Sequence, residues 1–185
     1  MLSKRDNFLI FAIGCLIFAG SYLLDGLISS TLAHIRTAFL DFSLSLIENI
    51  GLMILFMLVL PFFFLYKKDR HSSYSLVIAF LLSFAFSFIT KIIIARDRPI
   101  ENLLYPFTGI TSYSFPSMHA MIAFSLMSVL VFKMPRKKAL WISYACLIAF
   151  SRVYFGFHFM SDVVFGAFAG YFIGILAIYV TEKWR

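Results

Sequence analysis

The chain has 185 residues, of which 62% are hydrophobic and 14% are charged, and it carries a formal net charge of +7. A soluble domain has about 45–50% apolar and about 25% charged residues, so this composition excludes an ordinary water-facing surface. The basic residues stand in short clusters between apolar runs, which argues against a nucleic-acid partner. Cys15 and Cys146 lie in separate apolar segments, so no disulfide framework is predicted.

Six apolar segments approach the length of about 20 residues that a membrane-spanning helix needs. They predict an all-α polytopic membrane protein, with a single domain over residues 1–185. Lys4 and Arg5 before the first segment also resemble the start of a signal peptide. We interpret this segment as a first span because the rest of the chain is membrane-bound. The predicted spans are Phe8–Leu24, Ile47–Tyr66, Tyr74–Ile94, Phe115–Phe132, Ala139–Phe155 and Phe159–Val180.

Residues 25–46 predict an additional amphipathic helix. Its apolar residues follow alternating steps of four and three, which places them in one stripe on a helix. Such a helix can lie flat in the membrane interface with its stripe in the lipid, or it can pack on the spans. We predict an interfacial helix here. The stripe consists of Ile28, Leu32, Ile35, Phe39, Phe42 and Leu46.

The distribution of lysine and arginine predicts the orientation in the membrane. Eleven of the 16 basic residues fall where six spans would place them on one side. The positive-inside rule makes that side cytoplasmic, so both termini are predicted to be cytoplasmic in a cell inner (cytoplasmic) membrane. Positive charge is normally kept off the opposite, extracytoplasmic face, so its basic residues indicate a functional site. These residues are Arg36, Lys91, Arg96, Arg98 and Arg152.

Several polar groups at the extracytoplasmic face predict a phosphate-binding site. Arg98 and Arg152 offer planar sets of donors that match phosphate oxygens, and Lys91 adds a point charge. Ser117 adds a hydroxyl. The backbone amides around Met118 open a helix, where free N–H groups favour an anion.

Two histidines complete the candidate site, which lies within residues 91–162. His158 and Asp162 are four residues apart and share one helix face, so the carboxylate can orient the imidazole as a nucleophile. His119 can donate a proton to a leaving oxygen. Each residue alone has an ordinary structural explanation, but together they describe phosphoryl transfer without a metal or cofactor.

The spacing of these residues resembles the type 2 phosphatidic acid phosphatases, also called lipid phosphate phosphatases. That family's signature is K-x6-R-P, then P-S-G-H, then S-R-x5-H-x3-D. The resemblance covers about residues 74–180. The matching residues are Lys91, Arg98 and Pro99, then Pro116, Ser117 and His119, then Ser151, Arg152, His158 and Asp162.

The resemblance implies a role for each residue. His158 would attack phosphorus and become a phosphohistidine, with Asp162 supporting it and His119 protonating the leaving oxygen. The groups that would hold the phosphoryl oxygens are Lys91, Arg98, Ser117 and Arg152, with the backbone N–H of Met118.

The resemblance also implies an integral membrane phosphatase whose partners are a phosphorylated lipid substrate and membrane lipids. Candidate substrates are undecaprenyl pyrophosphate, phosphatidylglycerol phosphate, phosphatidic acid and lipid A 1-phosphate. Met118 stands where the family usually has glycine, which leaves a lipid-to-lipid phosphotransferase as an alternative. An anion or lipid transporter is a further alternative, but transport would not require the pair of His158 and Asp162.

Overall fold

The computed structural model describes residues 4–99 and 113–184, and all of their regular elements are helical, as predicted. The helices are α1 Lys4–His34, α2 Ala38–Glu48, α3 Ile50–Lys68, α4 Arg70–Ile94, α5 Met118–Lys133, α6 Lys138–Tyr154 and α7 Met160–Lys183. A π-helical turn over Leu55–Val59 lies within α3, and a 3₁₀ turn over Pro135–Lys137 precedes α6.

Four of these helices are long and apolar enough to cross a membrane: α1 from Phe8 onward, α3, α4 and α7. Their outer faces are apolar and exposed, for example at Leu16 and Leu23, which suits a hydrocarbon solvent. The chain is therefore a membrane protein. Helix α5 is apolar but has 16 residues, and α6 has 17, so their status as the two remaining spans stays a prediction.

The predicted bounds of the amphipathic helix, residues 25–46, were wrong. Helix α1 continues through this segment to His34, and α2 begins after the break at Thr37, whose hydroxyl accepts a hydrogen bond from the Leu40 N–H. Such an N-cap lets a new helix start with its first amides satisfied. Of the predicted helix, only the part from Ala38 onward is separate from the first span, and its place in the membrane interface stays a prediction.

Helices α5 and α7 approach each other very closely along a stripe of glycines. A Cβ atom added at Gly170 would lie 2.2 Å from the Met121 carbonyl oxygen, and one at Gly174 would lie 2.4 Å from the Ser125 carbonyl oxygen. Gly166 faces the Ser117 carbonyl in the same way. Small residues at such a crossing allow two membrane helices to pack backbone to backbone. The crossing places the amino ends of α5 and α7 side by side.

Helix α4 packs on the same pair through small residues spaced four apart. Ser75 hydrogen-bonds to Thr181 of α7 at 2.6 Å, and Ser125 of α5 donates to the Ala79 carbonyl at 3.4 Å. The same face continues at intervals of about one turn with Ser83, Ser87 and Lys91, which are all buried. This face carries Lys91 to the end of the bundle where α5 and α7 begin.

Candidate active site

The three predicted polar segments meet at one end of the bundle. Helix α4 ends at Ile94, and the left-handed backbone of the following residue, Ala95 (φ 48°), turns the chain away from the helix axis. The second segment returns beside the first, because the Ser114 N–H donates to the Arg96 carbonyl at 2.6 Å. In the third segment, the His158 N–H donates to the Arg152 carbonyl at 3.2 Å, across a turn at Gly156 (φ 70°).

His158 lies in this turn between α6 and α7 and is 2% exposed. Its Nδ1 atom lies 2.7 Å from the carbonyl oxygen of Ser114, which can only accept a hydrogen bond. We therefore assign the ring proton to Nδ1, which leaves Nε2 with a free lone pair. A neutral imidazole in this tautomer has a nucleophilic nitrogen available.

The electrostatic surroundings also keep His158 neutral. Burial lowers the pKa of His158 well below its usual value, and the nearby cations Arg152, Lys91 and Arg98 lower it further. The hydrogen bond with the Ser114 carbonyl opposes this effect. The imidazole is therefore in its unprotonated, nucleophilic form at neutral pH.

Asp162 supports His158 less directly than the four-residue spacing predicts. Its Oδ2 atom is 3.8 Å from Nδ1 of His158, beyond hydrogen-bond distance. Instead, Oδ2 accepts a hydrogen bond from the hydroxyl of Ser114 and another, at 2.9 Å, from the N–H of Phe159. Ser114 thus bridges the two residues, since its carbonyl binds the imidazole and its hydroxyl binds the carboxylate.

The cations predicted to bind phosphate surround this histidine, and each has a partner that fixes it. Lys91 is buried and donates to the Tyr113 carbonyl at 2.5 Å, and Arg98 donates to the Phe157 carbonyl at 2.7 Å. These hydrogen bonds orient the two cations, and each cation can also donate to the oxygens of a bound anion.

Arg152 has a different partner, because its Nη1 atom lies 2.5 Å from the Glu48 carboxylate at the end of α2. Both side chains are largely buried. Burial raises the pKa of Glu48, while Arg152 lowers it. One of the candidate phosphate-binding cations, Arg152, is therefore ion-paired with a carboxylate, that of Glu48.

Ser117, Met118 and His119 occupy the start of α5 beside the His158 turn. The Ser117 N–H donates to the Asp162 carbonyl at 3.1 Å, and the Ser117 hydroxyl is fully buried with no hydrogen-bond partner among the described residues. An unsatisfied buried hydroxyl costs about 1–3 kcal/mol, and a phosphate oxygen bound beside the start of α5 could accept a hydrogen bond from this one. The Met118 side chain packs against the main apolar core. His119 is partly buried and interacts electrostatically with His158 and the three cations.

The structure thus brings together all eight predicted site residues. It also adds three that the sequence gave no role, Ser114, Asp25 and Glu48. Arg96, predicted only as one of the basic residues near the functional site, binds the carboxylates of Asp25 and Asp162. Asp25 and Glu48 carried a signal, because an acidic residue inside or beside an apolar run is costly in a membrane. The sequence held no such signal for Ser114, because one of its two contacts in the site, the one with His158, is made by its backbone carbonyl.

Comparison with known proteins identifies the class. The sequence profile of the PAP2 superfamily matches residues 72–185, and the chain belongs to this family. It is 32% identical over 124 residues to an undecaprenyl-diphosphatase of Sulfolobus acidocaldarius. The match covers 63% of this chain, and the chain spans 58% of that relative's length.

Two solved structures share the fold. A PAP2 type phosphatidylglycerolphosphate phosphatase from Bacillus subtilis superposes with a TM-score of 0.73 at 24% identity, over 97% of each chain. Aquifex aeolicus LpxE superposes with a TM-score of 0.72 at 27% identity, over 84% of this chain and 95% of that one. The fold of this chain is therefore that of membrane PAP2 proteins.

Proposed function

We propose that this chain is a metal-independent integral membrane phosphatase that hydrolyses a lipid mono- or diphosphate through a phosphohistidine on His158. The observation that supports this most strongly is the environment of His158. Its Nδ1 proton is held by the Ser114 carbonyl, and Lys91, Arg98 and Arg152 lie around it. A nucleophilic nitrogen among three cations suits attack on an anionic phosphoryl group.

The reaction proceeds in two displacements. The first displacement starts with His119 in its protonated, imidazolium form. Nε2 of His158 forms a bond to phosphorus as the bond from phosphorus to the leaving oxygen breaks, and the leaving oxygen takes the electron pair and a proton from His119. In the second, water attacks phosphorus, the nitrogen–phosphorus bond breaks, and His119 accepts the proton of the water. Phosphate leaves and the enzyme returns to its starting state.

The phosphoryl oxygens are held by the cations, the Ser117 hydroxyl and the backbone N–H groups at the start of α5. Charge on these oxygens is neutralised by Lys91, Arg98 and Arg152, which supply what magnesium ions supply in kinases. The helix amino terminus at Met118 adds a favourable dipole. No metal is required by this arrangement.

The proposed substrate is a lipid phosphate presented at the extracytoplasmic face of the inner membrane, with both termini in the cytoplasm. The names of the relatives support this class, since one is an undecaprenyl-diphosphatase and another a phosphatidylglycerolphosphate phosphatase. We favour undecaprenyl pyrophosphate, because an outward-facing site suits recycling of that carrier.

A panel of substrates tests the proposal. Purified protein is given undecaprenyl pyrophosphate, phosphatidylglycerol phosphate, phosphatidic acid or lipid A 1-phosphate in mixed micelles, and inorganic phosphate is measured. Phosphate release from at least one lipid is expected. The His158→Gln variant should lose this activity, whereas His34→Gln, a matched change at an exposed histidine, should keep it. Transfer of phosphate to a second lipid without free phosphate would favour the phosphotransferase, and no turnover of any lipid would contradict both.

A further inference from the structure

Asp25 lies in α1, outside residues 72–185 that define the family match. It is 5% exposed and lies within the last three turns of a helix that is apolar enough to cross the membrane. An ionisable residue at such a position is costly and is retained where it contributes to function. Its contacts show what that contribution is.

The Asp25 carboxylate binds two elements of the candidate site. Its Oδ2 atom accepts a hydrogen bond from Nη2 of Arg96 at 2.8 Å, and its Oδ1 atom accepts one from the N–H of Ser161 at 2.9 Å. The Ser161 hydroxyl also donates to Oδ2, at 2.5 Å. Asp25 is thereby fixed to the first turn of α7, which carries Asp162.

Arg96 joins Asp25 to Asp162. Its Nη1 atom donates to Oδ1 of Asp162 at 2.7 Å, while Nη2 remains on Asp25. The guanidinium lies 4.1 Å from the Phe159 ring centroid and 5.3 Å from that of Tyr22, one turn before Asp25. Although burial opposes it, the two carboxylates raise the pKa of Arg96, so it stays charged.

The contacts continue from Asp162 to the imidazole. Because Arg96 occupies Oδ1, the second oxygen of Asp162 accepts from Ser114, whose carbonyl in turn holds the Nδ1 proton of His158. A planar guanidinium can donate hydrogen bonds to two carboxylates at once only if both carboxylates keep their positions. Removing the charge of Asp25 frees one side of Arg96, which can then rotate and pull Asp162 away from Ser114.

We infer that Asp25 is a positioning residue for His158: through the Arg96 bridge it fixes Asp162 and Ser114, and so the first helix takes part in orienting the nucleophile. The inference rests on the proposed phosphatase function. Asp25 has no contact with the substrate in this arrangement, so replacing Asp25 should affect the chemical step rather than lipid binding.

The test compares Asp25→Asn with wild type for the lipid phosphate that wild type hydrolyses best. The expected result is a fall in kcat of about 10- to 100-fold, the range typical of losing a group that orients a catalytic ligand. KM should change by less than about threefold, because no phosphate-binding group is altered. Ser21→Ala is the matched control, because Ser21 is buried one turn earlier on α1 and its hydroxyl bonds the Phe18 carbonyl of its own helix.

A double mutant separates positioning from simple helix packing. If Asp25 acts through Arg96, then Asp25→Asn should cost almost nothing further in an Arg96→Gln background. Thermal unfolding shows whether Asp25→Asn is folded. If it is not, Asp25→Glu replaces it in the test, because this variant keeps the charge but displaces it by one methylene. The same fall in kcat is expected.

The outcomes distinguish the two proposals. Unchanged kcat in the folded variant, a loss confined to KM, or independent effects in the double mutant would overturn the role of Asp25. Absence of phosphate release by wild type itself would instead overturn the proposed function.

Discussion

Replacing Gly170 by alanine should damage the candidate site from a distance, through the crossing of α5 and α7. The new Cβ atom would lie 2.2 Å from the Met121 carbonyl oxygen. Carbon and oxygen atoms normally stay about 3.3 Å or more apart, so the two helices must separate by about 1 Å. Met121 lies on the same first turns of α5 as Ser117 and His119, so these residues move relative to His158.

The size of the effect follows from this displacement. Misplacing reacting groups by about 1 Å can cost about 10²-fold in rate. Overpacking a close-packed core also costs about 1–3 kcal/mol of stability. We therefore expect Gly170→Ala to lower kcat for phosphate release by about 10²-fold and to lower the thermal unfolding temperature.

Gly26→Ala in α1 is the matched control, because a Cβ atom there meets nothing within 4 Å. Alanine is the better helix former by about 1 kcal/mol, so this variant should keep full activity and equal or greater stability. Wild-type activity and stability in Gly170→Ala, measured in the same assays, would refute the claim that this crossing sets the geometry of the site.

Four further outcomes are expected. Activity should persist in excess chelator, and a loss restored by magnesium would count against the metal-free mechanism. Because the pKa of His158 is lowered, kcat should not decline as the pH falls through the usual histidine value of about 6.5, whereas a decline centred there would show a normally titrating nucleophile. Glu48→Gln should lower KM severalfold, because the phosphoryl group no longer competes with a carboxylate for Arg152, and a raised KM would instead make Glu48 an orienting partner. In a cysteine-free background, a cysteine at Ala33 should react with an impermeant reagent in intact spheroplasts and one at Arg136 only after lysis, and the reverse pattern would invert the orientation.

The helical class and the meeting of the three polar segments could be predicted because each depends on a local pattern. Runs of apolar residues predict helices that cross a membrane, and alternation of such helices brings their ends to common faces. Lys91, Ser117 and His158 each stand at a helix end or in a turn, so hydropathy alone places them at the same face.

The break between α1 and α2 could not be predicted from the same pattern. The apolar stripe keeps its period from Ile28 through Phe42, although the chain starts a new helix after Thr37. Periodicity reports which side of a helix is apolar and does not report where a helix ends. The one local signal was Thr37, a residue type that favours the start of a helix.

The partners of the site residues were also beyond sequence reasoning. The spacing of His158 and Asp162 predicts a direct contact, but the two share Ser114 as an intermediary. Asp25 and Arg96 are 71 positions apart in the chain, and only tertiary packing joins them. Such long-range hydrogen bonds leave no period or motif in a single sequence.

Trapping the phosphorylated enzyme tests the central claim most directly. Wild-type protein is mixed with a lipid substrate carrying ³²P in the transferred phosphate, quenched within milliseconds, and digested for mass spectrometry. We predict an acid-labile, base-stable phosphate on His158 in wild type, and none in His158→Ala. Absence of any phosphoenzyme, with inversion of configuration at a chiral phosphorus, would contradict the covalent mechanism and make His158 a base for water.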